Sequence, residues 1–142
     1  MRFYAKAIKR SAAMDKDGMN KRKAERLRVN LSIVYRINKP ITLRMMIGNK
    51  EVRTTMFDLS GGGLSLLTSR NIPSGAMLLM KFTLFKVETD DVSFYGPMEI
   101  LGEVRYSTHL AGNEYRLGIA FKRISGQDKT EIEGFVKSTK TV

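Results

Sequence analysis

The sequence predicts a mainly β fold: a small antiparallel barrel that ends in one helix. Three observations support this prediction. Apolar residues alternate with other residues in most segments between residues 27 and 123, turn-forming clusters separate these segments, and the apolar spacing becomes helical after residue 124. Several short strands at close spacing favour a closed barrel, because closure removes the exposed edges of a sheet.

The predicted strands follow one another between clear turn signals. The first is NLSIVYRI, in which alternate apolar residues share one face: Leu31, Ile33, Tyr35 and Ile37. The second to fourth are ITLRMMI, EVRTTMFDLS and GLSLLTS, with turn signals at 48–50 and 61–63. The pattern is completed by AMLLMKFTLF, MEILGEVRYS and EYRLGIAFKRI. Periodicity alone therefore predicts about seven strands.

The last segment, SGQDKTEIEGFVKSTK, has the signals of a helix. Ser125 is suited to the N-cap, and Asp128 is suited to the positively polarised first turn. Ile132, Phe135 and Val136 fall at i, i+3 and i+4, which predicts a short amphipathic helix against the sheet.

The chain of 142 residues carries a formal charge of +11, with a pI of about 10.1. Residues 1–28 hold ten Lys and Arg and three acidic residues, so most of the excess lies near the N-terminus. We expect a flexible basic extension over residues 1–20 and a compact domain over residues 21–142. This charge favours an anionic partner, such as a nucleotide, a nucleic acid or an acidic surface.

Composition excludes several classes of site. The sequence has no cysteine, which excludes disulfides, zinc–thiolate centres and cysteine nucleophiles. No apolar segment approaches the roughly 20 residues of a membrane-spanning helix, and the N-terminus lacks the apolar core of a signal peptide. We therefore expect a cytoplasmic protein without membrane insertion.

The stretch FDLSGGG joins two predicted strands and carries the first candidate site. Asp58 and Ser60 are two residues apart, so a regular strand would point both outward and would turn Phe57 and Leu59 toward the core. Such a carboxylate can accept hydrogen bonds from the Watson–Crick edge of a guanine. Gly63 and its neighbours would let the backbone approach a ligand closely. Taken alone, the same stretch is also compatible with an exposed strand end and a glycine turn.

The second candidate site precedes the first strand, in KRKAERLRV. Arg22 and Arg26 have the spacing R-x-x-x-R, with Lys21 directly before them. Guanidinium groups are planar and permanently charged, which suits them to phosphate oxygens and to the O6/N7 edge of guanine. Taken alone, this segment is equally compatible with a solvated basic extension.

The two patterns together, in this order, resemble the PilZ domain family. The later segments LGEVRY and YRLGIAF and the terminal helix agree with it, and the resemblance covers about residues 21–138. It implies a six-stranded antiparallel barrel with a C-terminal helix. It also implies a receptor for the bacterial second messenger cyclic di-GMP, with no other cofactor.

By this resemblance, Arg22 and Arg26 would hold phosphates and a guanine edge, and Asp58, Ser60 and Gly63 would surround a guanine. Lys21 stands where the family often has arginine, a position that influences whether one or two ligands bind. The extension would become ordered on binding and would signal to a protein effector that the sequence does not identify.

Three other functions are compatible with parts of this sequence. A nucleic-acid-binding barrel fits the charge, but aromatic residues make up only 8% of the chain and the sequence suggests no exposed aromatic stacking surface. A PilZ-type adaptor that binds no nucleotide is disfavoured because both motifs are intact. An enzyme is disfavoured because the single histidine, His109, has no plausible triad with Asp58 and Ser60 and no metal-ligating cluster is evident.

Overall fold

The computed structural model describes residues 25–48 and 50–139, without the side chains of residues 86–88. Six strands form a closed antiparallel barrel in the order β1-β2-β3-β6-β5-β4. The strands are β1 Leu27–Lys39, β2 Val52–Leu59, β3 Gly63–Thr68, β4 Met77–Glu88, β5 Asp91–His109 and β6 Tyr115–Arg123. Helix α1 covers Ile41–Ile47, and helix α2 covers Gly126–Thr139. The prediction of a six-stranded barrel with a C-terminal helix is confirmed.

The barrel interior is filled by the alternating apolar residues that the sequence predicted. On β1 the inward residues Leu31, Ile33, Tyr35 and Ile37 are all buried. On β4 the same is true of the alternate residues Leu78, Met80, Phe82 and Leu84. Burial of such side chains stabilises each by roughly 1.5–3 kcal/mol relative to exposure, so the alternation fixes which face of each strand turns inward.

One polar pair lies inside this apolar core. Tyr35 is only 1% exposed, and its hydroxyl shares a buried hydrogen bond of 2.7 Å with Thr68 Oγ1 on β3. Burial raises the pKa of Tyr35 above 10.0, although the hydrogen bond to Thr68 acts in the opposite direction. The phenol therefore stays protonated and paired.

Helix α2 begins and packs as its sequence predicts. The Ser125 hydroxyl accepts a hydrogen bond of 3.0 Å from the backbone N–H of Asp128, as an N-cap should. Ile132, Phe135 and Val136 are buried in the common core. The helix thus covers part of the barrel with one apolar stripe.

The prediction of a strand over ITLRMMI is wrong, because residues 41–47 form helix α1. Ile41, Leu43, Met45 and Ile47 alternate as in a strand, but only Leu43 and Ile47 pack on the core, at the i, i+4 spacing of a helix. Leu, Arg and Met also have high intrinsic helix propensity. Removing this segment from the count leaves the six strands observed.

Strands β4 and β5 form a long hairpin that extends beyond the ring. Their pairing continues from Leu84 opposite Tyr95 to Glu88 opposite Asp91. Strand β1 pairs with β4 only as far as Lys81, and β6 pairs with β5 only from Leu101 onward. The outer part of the hairpin, residues 84–95, therefore has no third strand beside it among the described residues.

Candidate ligand-binding site

The outer wall of the barrel carries a row of side chains set by strand register. Arg28 of β1 lies opposite Asp58 of β2, and Asp58 lies opposite Ser65 of β3. Ser65 lies opposite Gly118 of β6, and Gly118 lies opposite Tyr106 of β5. Directly opposed residues on one face have Cβ atoms about 4.5–5.5 Å apart. The row therefore runs across five strands on the outer side of the barrel.

An ion pair lies near one end of this row, at Asp58. Arg26, just before β1, donates a hydrogen bond of 2.6 Å from a guanidinium nitrogen to Oδ1 of Asp58. The Arg26 side chain is 17% exposed and that of Asp58 is 8% exposed, so both groups are largely withdrawn from water. The contact joins one residue from each of the two sequence motifs across 32 positions of the chain.

Asp58 belongs to the same row as the exposed Arg28. The Asp58 carboxylate is nevertheless shielded from solvent by Arg26. The sequence motif alone predicted an outward carboxylate open to a ligand. In the structure, the carboxylate already has a cationic partner. A ligand that uses Asp58 must therefore displace or share Arg26.

The prediction that Phe57 points into the core is wrong. The pairing of β2 with β3 shifts between Met56 and Asp58, where a bulge or similar irregularity interrupts the ladder. Met56 and Leu59 are both fully buried. Between these two inward-facing positions lie two residues, where a regular strand would have one. Phe57 is left half-buried, and its side chain meets groups on the outer wall.

Two arginines contact the ring of Phe57. The guanidinium carbon of Arg28 lies 4.4 Å from the ring centroid, and that of Arg116 lies 4.7 Å from it. Cation–π contacts of this kind contribute about 0.5–1 kcal/mol at exposed sites. They hold two positive charges beside Asp58 on the outer wall. Neither Arg28 nor Arg116 belongs to the two sequence motifs, and only the folded register brings them together.

The prediction that Ser60 faces outward beside Asp58 is also wrong. Ser60 follows the end of β2 and is only 3% exposed. Its hydroxyl donates to Gly63 O at 3.1 Å and accepts from the N–H of Gly62 at 3.3 Å, while its own N–H donates to Gly63 O at 2.8 Å. The side chain therefore closes the β2–β3 turn.

Gly63 is required by close packing between strands. A Cβ placed on Gly63 would lie 2.2 Å from the carbonyl oxygen of Ile119 on β6, a separation that no side chain can occupy. Gly62 has nothing within 4 Å of the same position. The glycine at the end of the D-x-S-x-x-G pattern is thus the one that lets β3 approach β6.

Two further residues of the row, Ser65 and Tyr106, lie outside the sequence motifs. Ser65 is fully buried, and its hydroxyl is the one buried side-chain polar atom without a hydrogen-bond partner in the described part of the chain. Tyr106 is 36% exposed, and three atoms of its ring lie within 2.6 Å of the position that a Cβ on Gly118 would occupy. The ring therefore covers Gly118. Only the pairing of β5 with β6 reveals this arrangement.

Lys21 and Arg22, together with the basic extension of residues 1–20, lie outside the described residues. Their predicted contribution to the site stays a prediction.

His109 does not join a catalytic arrangement. It ends β5, where its ring packs 4.9 Å from that of Tyr115 and its Nε2 lies 2.6 Å from Gly112 O. No cluster of three or more metal-ligating side chains occurs among residues 25–48 and 50–139. In the same part of the chain, no helix is long and apolar enough to cross a membrane.

The fold and the site define a small β-barrel binding domain with a cationic outer wall. The family model of the PilZ domain matches residues 20–138, and the chain belongs to this family. PilZ domains are receptors and adaptors rather than enzymes, which agrees with the prediction made for this domain. No curated protein matches the chain by sequence.

Three solved structures share the fold at low sequence identity. The Bacillus subtilis inhibitor of motility MotI/DgrA matches 87% of this chain and 55% of its own, with 15% identity and a TM-score of 0.63. YcgR from Escherichia coli in complex with c-di-GMP matches 84% of this chain and 46% of its own, with 14% identity and a TM-score of 0.57. The chain thus spans about half the length of these two proteins. The PilZ domain of YcgR with c-di-GMP matches 84% of this chain and 91% of its own, with 15% identity and a TM-score of 0.53.

Proposed function

We propose that the chain is a receptor for cyclic di-GMP that binds the ligand on the outer barrel wall at Asp58. The observation that carries this proposal is the 2.6 Å contact between Arg26 and Asp58, which unites the two motifs at one place. Membership of the PilZ domain family supports it. The presence of c-di-GMP in two structures of similar fold is consistent with it.

The chemistry of the site suits this ligand. Cyclic di-GMP carries two phosphodiester charges and two guanines. A carboxylate accepts hydrogen bonds from the N–H groups of a guanine edge, and guanidinium groups bind phosphate or the O6/N7 edge. Asp58 would supply the acceptor, and Arg26, Arg28 and Arg116 would supply positive charge on the same wall.

Binding on this wall would give Arg26 and Asp58 new partners in the ligand in place of each other. A phosphate of the ligand would attract the guanidinium of Arg26 while a guanine replaces that guanidinium at Asp58. The ion pair is then lost and two charge-assisted contacts form in its place. Each such contact contributes about 1.5–3 kcal/mol, so the exchange favours binding.

The N-terminal segment completes the proposal. Residues 21–142 would form the receptor domain, with Lys21 and Arg22 adding charge to the site and residues 1–20 forming a basic extension. Ordering of this region around the ligand would change the surface offered to a protein effector. Lys21 keeps the positive charge of an arginine but lacks the planar guanidinium that forms paired hydrogen bonds and stacks on a base. Because this position influences whether one or two ligands bind, the number of ligands bound per chain is part of the proposal.

Isothermal titration calorimetry of the full chain with cyclic di-GMP is the direct test. We expect binding in the micromolar range or tighter, and the titration also gives the number of ligands per chain. Arg26→Ala and Asp58→Ala each remove one charge-assisted contact with the ligand, which is worth roughly ten- to a hundredfold in affinity, less the part regained because the ion pair no longer has to be broken. No heat at tens of micromolar ligand would refute the proposal.

Arg53→Ala is the matched control. Arg53 also lies on β2 and faces outward, and its guanidinium donates a hydrogen bond of 3.1 Å to the Ser32 hydroxyl at an exposed position. Its removal deletes one positive charge without touching Asp58, so affinity should change little. Equal losses for Arg53→Ala and Arg26→Ala would mean that net charge alone drives binding. A gel shift with single-stranded RNA that Asp58→Ala leaves unchanged would then favour a nucleic-acid-binding barrel.

A further inference from the structure

We propose that the ring of Tyr106 is a stacking surface for a purine base of the ligand, on the same wall as Asp58. This inference rests on the proposed function and adds a contact outside the two sequence motifs. Tyr106 and Phe94 are the aromatic side chains among the exposed large hydrophobic residues of the described part of the chain. Phe94 lies on the extended β4–β5 hairpin, whereas Tyr106 lies in the row that contains Asp58.

The backbone beneath Tyr106 holds its ring against the wall. Cε2, Cζ and Cδ2 of Tyr106 lie 2.0, 2.2 and 2.6 Å from the position that a Cβ on Gly118 would occupy. Any side chain at residue 118 would push the ring away. With glycine, one face of the ring covers the β6 backbone, and the 36% of Tyr106 that remains exposed offers the ring to solvent.

No bulky side chain belongs to the row between Tyr106 and Asp58. The two intervening positions of the row are Gly118, which has no side chain, and Ser65, which is small and fully buried. Neighbouring strands lie about 4.8 Å apart, so Gly118 and Asp58 are separated by roughly 10 Å. A purine on the Tyr106 ring could direct its hydrogen-bonding edge toward the carboxylate once Arg26 is displaced from Asp58.

The charges beside this surface favour a base that carries a phosphate. Arg116 is two residues before Gly118 on the outer face of β6, and its guanidinium lies against Phe57 with that of Arg28. A base on Tyr106 thus has cations on the side facing β1 and β2. Stacking of a base on an aromatic side chain contributes roughly 1–3 kcal/mol, which corresponds to about a five- to a hundredfold change in affinity.

The first test compares Tyr106→Leu with Phe94→Leu by calorimetry with cyclic di-GMP. Leucine keeps apolar cover over Gly118 but has no aromatic face, so Tyr106→Leu should bind about five- to a hundredfold more weakly. Phe94→Leu should bind as the unaltered chain does. Equal affinity of Tyr106→Leu and the unaltered chain would overturn the inference, whereas no binding by the unaltered chain would refute the proposed function itself.

A fluorescence test separates stacking from a structural role and does not depend on the leucine variant folding. The chain has no tryptophan, so Tyr106→Trp introduces a single indole at the proposed contact. A stacked guanine should quench its emission, with a midpoint equal to the calorimetric dissociation constant. Phe94→Trp provides the control, with unchanged emission. Saturation of Tyr106→Trp with ligand and no change in its emission would overturn the inference.

Discussion

The ion pair between Arg26 and Asp58 makes a quantitative prediction for the ligand-free chain. The two atoms are 2.6 Å apart, and the side chains are 17% and 8% exposed. Hydrogen bonds between charged groups contribute about 1.5–3 kcal/mol, and removing one partner of a withdrawn pair also leaves the other charge unpaired. A double-mutant cycle of Arg26→Ala and Asp58→Ala should therefore give a coupling energy of about 1.5–3 kcal/mol.

The cycle is measured by urea unfolding of the unaltered chain, both single variants and the double variant, without ligand. A second cycle on Lys81 and Glu51 serves as the control. Their charged atoms are 3.0 Å apart, but both side chains are 47% exposed. Exposed pairs of this kind contribute about 0–1 kcal/mol, because water screens both charges. Added salt should reduce this coupling more than that of the withdrawn pair.

The two cycles must differ for the reasoning to hold. A coupling energy for Arg26 and Asp58 that is no larger than the one for Lys81 and Glu51 would refute it. The pair would then be no more than a surface contact. The account of ligand binding as an exchange of partners would lose its physical basis as well.

Two further predictions concern the barrel itself. Gly63→Ala should destabilise the chain by about 1–3 kcal/mol through overpacking against the Ile119 carbonyl, whereas Gly62→Ala, with open space around it, should be nearly neutral in urea unfolding. Burial raises the pKa of Tyr35 above 10.0, so the folded chain keeps a proton that the unfolded chain loses. The stability from this group is complete below about pH 10 and is lost as pH rises from there through the raised pKa. Unfolding at about pH 9 and about pH 11 should show a larger loss for the unaltered chain than for Tyr35→Phe; equal losses would contradict the assignment.

Most of the fold could be predicted from local pattern. The alternation on β1 and β4 and the cap and apolar stripe of α2 each follow from a few neighbouring residues. Helix α1 could not be predicted in this way, because Ile41, Leu43, Met45 and Ile47 alternate like a strand. Packing of Leu43 and Ile47 against the core decides between the two structures, and that packing depends on where the rest of the chain lies.

The site was predicted only in part, for a related reason. The motifs identified Arg26 and Asp58, which the structure brings together. A single shift in the pairing of β2, however, turns Phe57 outward. In the β2–β3 turn, the Ser60 hydroxyl is buried in hydrogen bonds with the backbone of Gly62 and Gly63. Tyr106 and Arg116 join the wall through strand register alone, which a sequence read in order does not reveal.

Closure of the barrel also limits how another protein chain can bind. Each strand of the ring has a paired neighbour on both sides, although some ladders are partial: β1 pairs with β4 only from Val34 onward. Where a ladder is complete, a partner can add a strand of its own only by opening it. The outer part of the β4–β5 hairpin, residues 84–95, is different, since among the described residues its two strands pair only with each other. A partner strand would meet fewer neighbouring strands on this ribbon than on the ring, where recognition falls mainly to side chains.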